Sequence, residues 1–183
     1  DIGTNLGVVT EQIYDKLFEF DPHTQRLKPM LAEHYEVNDD GREIVLHLRK
    51  NVHFHQTPWF TPSRRLNAED VVFSLNRMIG RLEELPALAH EVRSDNHFEQ
   101  LQREAYQNKA APVHYAYFEK MALKNQIESV SALNSHTVKI RLAVPNNHFL
   151  DHLASQYAVI LSKEYALQLN ADDNLVQLDR LPV

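Results

Sequence analysis

Histidines are the residues of this chain that are best suited to hold a metal ion. There are 11 among 183 residues, and four of them form two spaced pairs. A strand would place His53 and His55 on one face, and a helix would do the same for His148 and His152. Both spacings occur in zinc sites, but such a site needs three or four converging ligands, and no pattern brings the pairs together. We therefore predict solvated or hydrogen-bonded histidines and no metal or other cofactor, with a metal-dependent hydrolase that uses the histidines as an alternative.

The remaining side chains that can carry catalysis form no recognisable set. The paired carboxylates, such as Asp39-Asp40 and Glu69-Asp70, are neighbours in sequence, and neighbours do not face each other across a substrate. The chain contains no cysteine, which excludes thiol nucleophiles, thiolate zinc sites and disulfides. With only four glycines, a loop that cradles phosphate is hard to build. These patterns indicate no enzyme activity.

Aromatic side chains are the candidates for contact with a ligand. Tyr115, Tyr117 and Phe118 lie close together, and Tyr157 follows later in the chain. Tyrosine combines flat apolar area with a hydrogen-bonding tip, which suits peptide recognition. Packing in the core explains any single one of these residues equally well, so both interpretations stay open.

The segment from Trp59 to Arg65 combines two aromatic rings with two arginines, a pattern that single-stranded nucleic acid can use. The formal net charge of the chain is −6, however, and phosphate binding requires a basic surface. We therefore expect no nucleic-acid partner. We expect Trp59 and Phe60 to anchor a loop against the core, and the arginines to lie at the surface or to pair with acids.

The elements that position these side chains are predicted to be antiparallel hairpins and helices. Asp39-Asp40-Gly41 lies between two β-rich runs, which is a strong hairpin signal, and Asn134-Ser135-His136 joins a second such pair. Asn67 is suited to cap a helix whose apolar residues recur at helical spacing up to Leu82. The predicted strands are 34–38, 43–49, 127–133 and 137–142, and the predicted helices are 5–17, 68–82, 96–108, one after Pro145-Asn146-Asn147 and 163–169.

The composition is that of a folded globular domain, with 43% hydrophobic and 24% charged residues. Hairpins and helices do not alternate as β-α-β units, so we predict the α+β class with mostly antiparallel strands packed with helices. The pattern weakens between about 83 and 111, which we interpret as a surface insertion. No apolar run approaches the roughly 20 residues needed to span a bilayer.

Several stretches of the chain are similar, in order, to one family of proteins. They are the opening from Ile13 to His55, the helix AEDVVFSLNRM and the run from His136 to Tyr165. These segments resemble the peptide- and oligopeptide-binding periplasmic proteins of ABC importers, a family that also includes nickel and haem carriers. The long loop QTPWFTPSRRLN and the final LDRLPV are similar to a branch that is linked to defence against antimicrobial peptides.

The resemblance implies a place in a larger fold and a set of site residues. Family chains are much longer, so residues 1–183 would be the peripheral part of the first lobe of a two-lobed solute-binding protein, with the second lobe absent. Two segments align with parts of the family that face the ligand cleft. They contain the ligand-binding candidates Tyr115, Tyr117, Phe118, Gln156 and Tyr157.

The function that the resemblance implies is ligand carriage without chemistry. A monomer would capture peptides, cationic antimicrobial peptides among them, in the periplasm and deliver them to an inner-membrane ABC permease; no leader is visible in this chain. Haem or another small solute is an alternative cargo. A third hypothesis is an interaction module that uses the insertion at 83–111 as its docking surface.

Overall fold

Two antiparallel sheets and five helices make up the described part of the chain, which in the computed structural model comprises residues 14–81, 116–168 and 183. This is the α+β arrangement that the hairpin signals predicted. The strands are β1 (Phe18–Phe20), β2 (Leu27–Pro29), β3 (Ala32–Val37), β4 (Glu43–Leu48), β5 (Ile127–Asn134) and β6 (Thr137–Leu142). The helices are α1 (Ala68–Met78), α2 (Ala116–Lys120), α3 (Leu123–Gln126), α4 (Phe149–Leu153) and α5 (Lys163–Gln168).

The larger sheet has four strands in the order β3-β4-β6-β5, and all neighbours are antiparallel. Two hairpins that are far apart in the sequence form it, because β4 pairs with β6. The first hairpin turns at Gly41, whose φ of 69° is a left-handed conformation that glycine adopts without steric cost. Both hairpins lie where their turn residues predicted them.

Alternation along the strands divides this sheet into a buried face and an outer face. Ile44 of β4 pairs with Ile140 of β6, and both side chains are buried. The next pair, Val45 and Lys139, is partly exposed on the outer face. Helix α1 packs against β5 and β6, so the main core lies between the helix and the buried face.

Helix α1 begins with a reciprocal capping arrangement. The side chain of Asn67 accepts a hydrogen bond from a backbone N–H of the first turn, and the Asp70 carboxylate accepts one from the backbone N–H of Asn67. The helix ends at Met78, and Gly80 follows with a φ of 69°. The predicted start is confirmed, whereas the predicted end at Leu82 is too late because the left-handed glycine stops the helix.

The predicted opening helix, 5–17, is wrong at its C-terminal end. Residues 14–17 are not helical, and the chain enters strand β1 directly afterwards. The carbonyl of Leu17 accepts backbone hydrogen bonds from Met30 and Ala32. Pairing with a distant segment therefore takes the place of the helical bonds that the local apolar spacing indicated.

The two helices near the end of the described chain begin where they were predicted. The side-chain oxygen of Asn146 accepts a hydrogen bond from the backbone N–H of His148 just before α4. The hydroxyl of Ser162 accepts one from the backbone N–H of Tyr165 in α5. The bond to Tyr165 satisfies an N–H group that a helix start leaves unpaired, whereas His148, the N-cap of α4, makes no side-chain capping bond. The predictions that lie outside the described residues are the first part of the opening helix (5–13), the surface insertion (83–111) and the helix 96–108.

Candidate ligand-binding site

An aromatic cluster forms where helix α2 meets the segment that follows helix α4. It consists of Tyr117, His152 and Tyr157, and we refer to these three residues as the aromatic cluster. The rings of Tyr117 and Tyr157 are stacked, with their centroids 4.9 Å apart and 30° between their planes. The hydroxyl of Tyr117 lies 3.2 Å from Nδ1 of His152, within hydrogen-bond distance. Two predicted ligand contacts therefore share a cluster with a histidine that the sequence grouped elsewhere.

Buried neighbours on the two short helices hold the aromatic cluster in place. Phe118 is 3% exposed and meets Tyr117 edge-on, with ring centroids 5.2 Å apart. On helix α4, Phe149 and Leu153 are buried in the core, which leaves His152 at its border. The cluster thus rests on packed side chains, and its rings have little freedom to reorient.

The aromatic cluster lies at the boundary between the core and the solvent. Tyr157 is 47% exposed, whereas Tyr117 and His152 are partly buried. Burial is the main cause that lowers the pKa of His152; Asp151 acts in the opposite direction and His148 in the same one. The imidazole is therefore neutral at pH 7, and its Nδ1 can accept the hydrogen bond that the Tyr117 hydroxyl donates. An aromatic face with polar groups at its edge suits a ligand that contains amides.

The structure brings together two of the five predicted site residues, Tyr117 and Tyr157. Phe118 lies in the core beneath them, and Gln156 is partly buried next to Tyr157 in the chain. Tyr115 lies outside the described residues. The sequence analysis missed His152 as a member of this cluster, because no local pattern links it to a tyrosine 35 residues away.

Three of the four paired histidines have hydrogen-bond partners outside their own pair. The segment with the first pair is not a strand, and Nε2 of His53 accepts a hydrogen bond from Nε of Arg65. Nδ1 of His148 lies 3.0 Å from a carboxylate oxygen of Asp151, whereas His152 belongs to the aromatic cluster. Among the described residues, none of these four histidines belongs to a group of three side chains that could hold a metal ion.

A second polar cluster surrounds Asp70, which is fully buried. Its carboxylate accepts two hydrogen bonds from the guanidinium of Arg64, at 2.6 and 2.8 Å. It accepts two more, both at 2.9 Å, from the backbone N–H groups of Asn67 and Lys163. We refer to these four residues as the Asp70 cluster. Because all four acceptor positions of the carboxylate are used, the cluster joins a loop, α1 and α5 and offers no acceptor to a ligand.

Electrostatics within the Asp70 cluster agree with this structural role. Hydrogen bonds to Asp70 are the main cause that raises the pKa of Arg64, and burial opposes them. The sequence expectation that an arginine of this loop pairs with an acid is confirmed for Arg64. A bidentate pair of this kind fixes the relative orientation of the two side chains.

The loop that carries Arg64 differs from expectation in one residue. Phe60 is 2% exposed and packs against Tyr165, with ring centroids 4.8 Å apart, as expected for an anchor. Trp59, by contrast, is 44% exposed, so the expectation that it anchors the loop is wrong. A β-bridge between Thr57 and Phe60 closes a tight turn, and adjacent residues in such a turn point in different directions.

The chain also matches a family of known proteins. Residues 26–178 fit the family model of bacterial extracellular solute-binding proteins, family 5, middle region. The chain belongs to this family. The matched region contains both the aromatic cluster and the Asp70 cluster, so both are built within the part of the chain that the family shares.

Individual relatives carry names that refer to peptides or haem. The peptide transport periplasmic protein SapA of Haemophilus influenzae is 51% identical over 184 residues, which covers 100% of this chain and 32% of that protein. Heme-binding protein A of the same species is 33% identical over 181 residues, which covers 99% of this chain and 29% of that protein. A crystal structure of the dipeptide-binding protein of Pseudoalteromonas sp. SM9913 with Met-Leu has a TM-score of 0.72 and 29% identity, and the match covers 93% of this chain and 29% of that chain.

The chain spans about a third of the length of the curated relatives it matches. Its antiparallel sheets and helices are those of a part of the two-lobed solute-binding fold. Members of the family bind solutes and are not enzymes. The two relatives named SapA, from Haemophilus influenzae and Escherichia coli, are both named as periplasmic proteins. Among the described residues, no helix combines the length and the apolar character that crossing a membrane requires.

Proposed function

We propose that this chain forms the peripheral part of the first lobe of a two-lobed carrier. The carrier captures peptides in the periplasm as a monomer and delivers them to an ABC permease of the inner membrane. The observation that supports the proposal is the aromatic cluster, whose stacked rings end in the exposed Tyr157, in a chain 51% identical to a peptide transport protein. The carrier releases its ligand unchanged.

The aromatic cluster has the properties that recognition of varied peptides requires. Tyrosine rings offer a large rigid contact area at a low cost in side-chain entropy. The Tyr117 hydroxyl and the His152 imidazole add polar groups at the edge of that area. In a two-lobed carrier, closure about the hinge buries the ligand, and the peptide main chain is held by hydrogen bonds while water fills the side pockets. This chain supplies one wall of such a cleft.

The polar groups of the described residues favour binding over catalysis. His152 already takes part in a hydrogen bond with Tyr117, and the Asp151 carboxylate is turned towards His148. A nucleophile, its base and a residue that orients the base would have to lie within hydrogen-bond reach of one another. Among the described residues, the hydrogen-bond partner of the His152 side chain is the Tyr117 hydroxyl, so we propose no hydrolytic role for the cluster.

The cargo has two candidates. The net charge of −6 favours cationic peptides, the ligands of a defence against antimicrobial peptides, because opposite charges attract across an interface. Haem is the second candidate, since this chain is 33% identical to Heme-binding protein A and since tyrosine and histidine both ligate haem iron. Tyr117 and His152 lie together at the cluster and would be the residues in question.

The proposal is tested in a two-lobed protein. This chain replaces the matching 32% of SapA from Haemophilus influenzae, a substitution that 51% identity makes practicable. Native mass spectrometry identifies what the chimera carries when it is purified. Isothermal titration calorimetry with the dipeptide Met-Leu, with a cationic peptide and with haem then ranks the three cargoes, and haem binding is also followed by its absorption spectrum.

A matched pair of variants links any affinity to the aromatic cluster. Tyr157→Ala removes the exposed ring of the cluster, whereas Tyr35→Ala removes a similarly exposed tyrosine, 42% accessible, from strand β3. We expect Tyr157→Ala to weaken peptide binding roughly tenfold, which corresponds to the contribution of one aromatic contact, and Tyr35→Ala to leave it unchanged. Equal affinities in both variants, or no peptide bound by the chimera, would rule the proposal out.

The interaction-module hypothesis makes a different prediction for the segment 83–111. If that segment docks a partner protein, its deletion from the chimera abolishes partner binding and leaves the affinity for Met-Leu intact. If the carrier hypothesis is correct, delivery to the permease and peptide affinity both survive the deletion. Unchanged transport of labelled Met-Leu into cells would support the carrier hypothesis, and loss of transport at unchanged Met-Leu affinity would support the docking hypothesis.

A further inference from the structure

Three potential metal ligands meet on the outer face of the four-stranded sheet. Strand β3 is an edge strand of this sheet and pairs with β4. The register places His34 of β3 directly opposite His47 of β4. Glu36 lies two residues further along β3, and residues two apart in a strand share a face. The side chains of all three therefore project from the same patch, which we refer to as the His34 patch.

Distances within the His34 patch are short. The ligand atoms of the three side chains all lie within 4.8 Å of one another. The imidazoles of His34 and His47 are stacked, with centroids 4.1 Å apart and 10° between the ring planes. Nε2 of His47 lies 3.1 Å from a carboxylate oxygen of Glu36. Stacking and a hydrogen bond thus hold the three groups close together, and the nearly parallel rings must rotate for both imidazoles to point at one ion.

Two imidazoles and a carboxylate are a ligand set that zinc and related divalent metals use. Metal–ligand distances near 2.1 Å place tetrahedral ligand atoms about 3.4 Å apart. The His34 patch needs to contract by at most about 1.4 Å at its widest point to reach this spacing. His34 and Glu36 are exposed and His47 is partly exposed, so their side chains can make this adjustment without disturbing the core.

We propose that the His34 patch is a binding site for one divalent transition-metal ion, with Zn²⁺ as the reference ion. His34, Glu36 and His47 supply three ligands, and water or an external ligand fills the open position. The bound ion connects edge strand β3 to β4 and stabilises the sheet at that edge. The patch shares no residue with the aromatic cluster, so this site is independent of the proposed peptide function.

The test is calorimetric titration of the 183-residue chain, purified without a histidine tag, with ZnCl₂ and with MgCl₂. We expect one Zn²⁺ per chain and no binding of Mg²⁺, because Mg²⁺ prefers oxygen ligands in an octahedral arrangement. His34→Ala, His47→Ala and Glu36→Gln should each weaken Zn²⁺ binding roughly tenfold or more, the scale of effects that even supporting groups have on metal sites.

His148→Ala is the matched control. His148 is an exposed histidine paired with one carboxylate, Asp151, so it resembles His47 in chemistry, but among the described residues it belongs to no group of three side chains that could hold a metal ion. We expect this variant to bind Zn²⁺ like the parent chain. Absence of a one-to-one Zn²⁺ complex, or the same affinity in the His47→Ala and parent chains, would overturn the proposal.

Two further measurements keep the test decisive if a variant folds poorly. Circular dichroism compares the secondary structure of each variant with that of the parent, and exposed positions such as these should leave it unchanged. X-ray absorption of the parent chain with Zn²⁺ should show two imidazoles and oxygen in the first coordination sphere. A spectrum with oxygen ligands alone would refute the site without recourse to any variant.

Discussion

The Asp70 cluster and the aromatic cluster both combine polar and charged side chains from distant parts of the chain, but they differ in how many of their polar groups are satisfied. The carboxylate of Asp70 is fully buried and accepts four hydrogen bonds. Tyr157, by contrast, is 47% exposed, and a single hydrogen bond joins Tyr117 to His152. One cluster is complete within the chain, whereas the other has an open face.

The difference assigns the two clusters to different tasks. A buried charge is tolerated only when partners replace its lost hydration, so every group around Asp70 contributes to the folded state. An exposed aromatic ring still has contact area to offer, so Tyr157 can gain free energy when a ligand covers it. Substitutions should accordingly affect the stability of the fold at the first cluster and ligand affinity at the second.

The largest effect is expected for Asp70→Ala. Removal of the carboxylate leaves the guanidinium of Arg64 and two backbone N–H groups without their acceptor. We expect a loss of about 3–5 kcal/mol in the free energy of unfolding, the usual result of breaking a buried ion pair. Urea unfolding followed by circular dichroism measures it. Asp151→Ala, which removes a more exposed carboxylate, should cost about 1 kcal/mol or less. Similar losses in both variants would show that burial of the Asp70 carboxylate has no special effect on stability.

Arg64→Lys should have an intermediate effect. Lysine keeps the positive charge but cannot make the bidentate contact with Asp70. Loss of one charge-assisted hydrogen bond is expected to lower the free energy of unfolding by about 1.5 kcal/mol. The same substitution at Arg65, an exposed residue bonded to Asn51, provides the control in the same urea experiment. If Arg64→Lys unfolds like the parent chain, the bidentate geometry is not what stabilises this region.

Tyr157→Ala should affect ligand affinity more than folding stability, the opposite of the substitutions at the Asp70 cluster. The stacked contact with Tyr117 is half in water, so its removal is expected to cost about 0.5–1 kcal/mol of folding stability. Met-Leu affinity of the SapA chimera should nevertheless fall, whereas Asp70→Asn should destabilise the chimera without altering the affinity of the folded fraction. Unfolding curves and calorimetric titrations of both variants provide the comparison. If Asp70→Asn lowers the Met-Leu affinity and Tyr157→Ala does not, the aromatic cluster is not the site of recognition.

The smallest effect concerns the pH dependence of stability. Because burial holds the pKa of His152 below its ordinary value of 6.5, the unfolded chain binds a proton more readily than the folded chain between the two pKa values. Stability should therefore fall as the pH drops from about 6.5 through the lower, folded pKa. His152→Gln should lose this part of the pH dependence. Unfolding curves at pH 7.5 and at pH 5 test it, and equal changes in the parent and variant would contradict the assignment.

Local signals predicted the secondary structure where backbone bonds are made between near neighbours. Gly41 in the first turn identified its hairpin, and Asn67 identified the start of α1. The opening helix failed at residues 14–17, where apolar spacing was compatible with a helix but the backbone of Leu17 bonds to Met30 and Ala32. A local pattern has no information about such a competing partner.

The sequence by itself therefore determined the class of the fold, its two hairpins, the starts of α1, α4 and α5 but not of α2 and α3, and its membership of a solute-binding family. The tertiary structure decided which side chains act together. Arg64 and Asp70 are separated by six residues, but Lys163 reaches the same carboxylate from 93 residues away, and His47 meets His34 only through strand pairing. Turns and caps depend on bonds within a few residues, whereas these clusters depend on where packing brings distant segments, and only the folded chain contains that information.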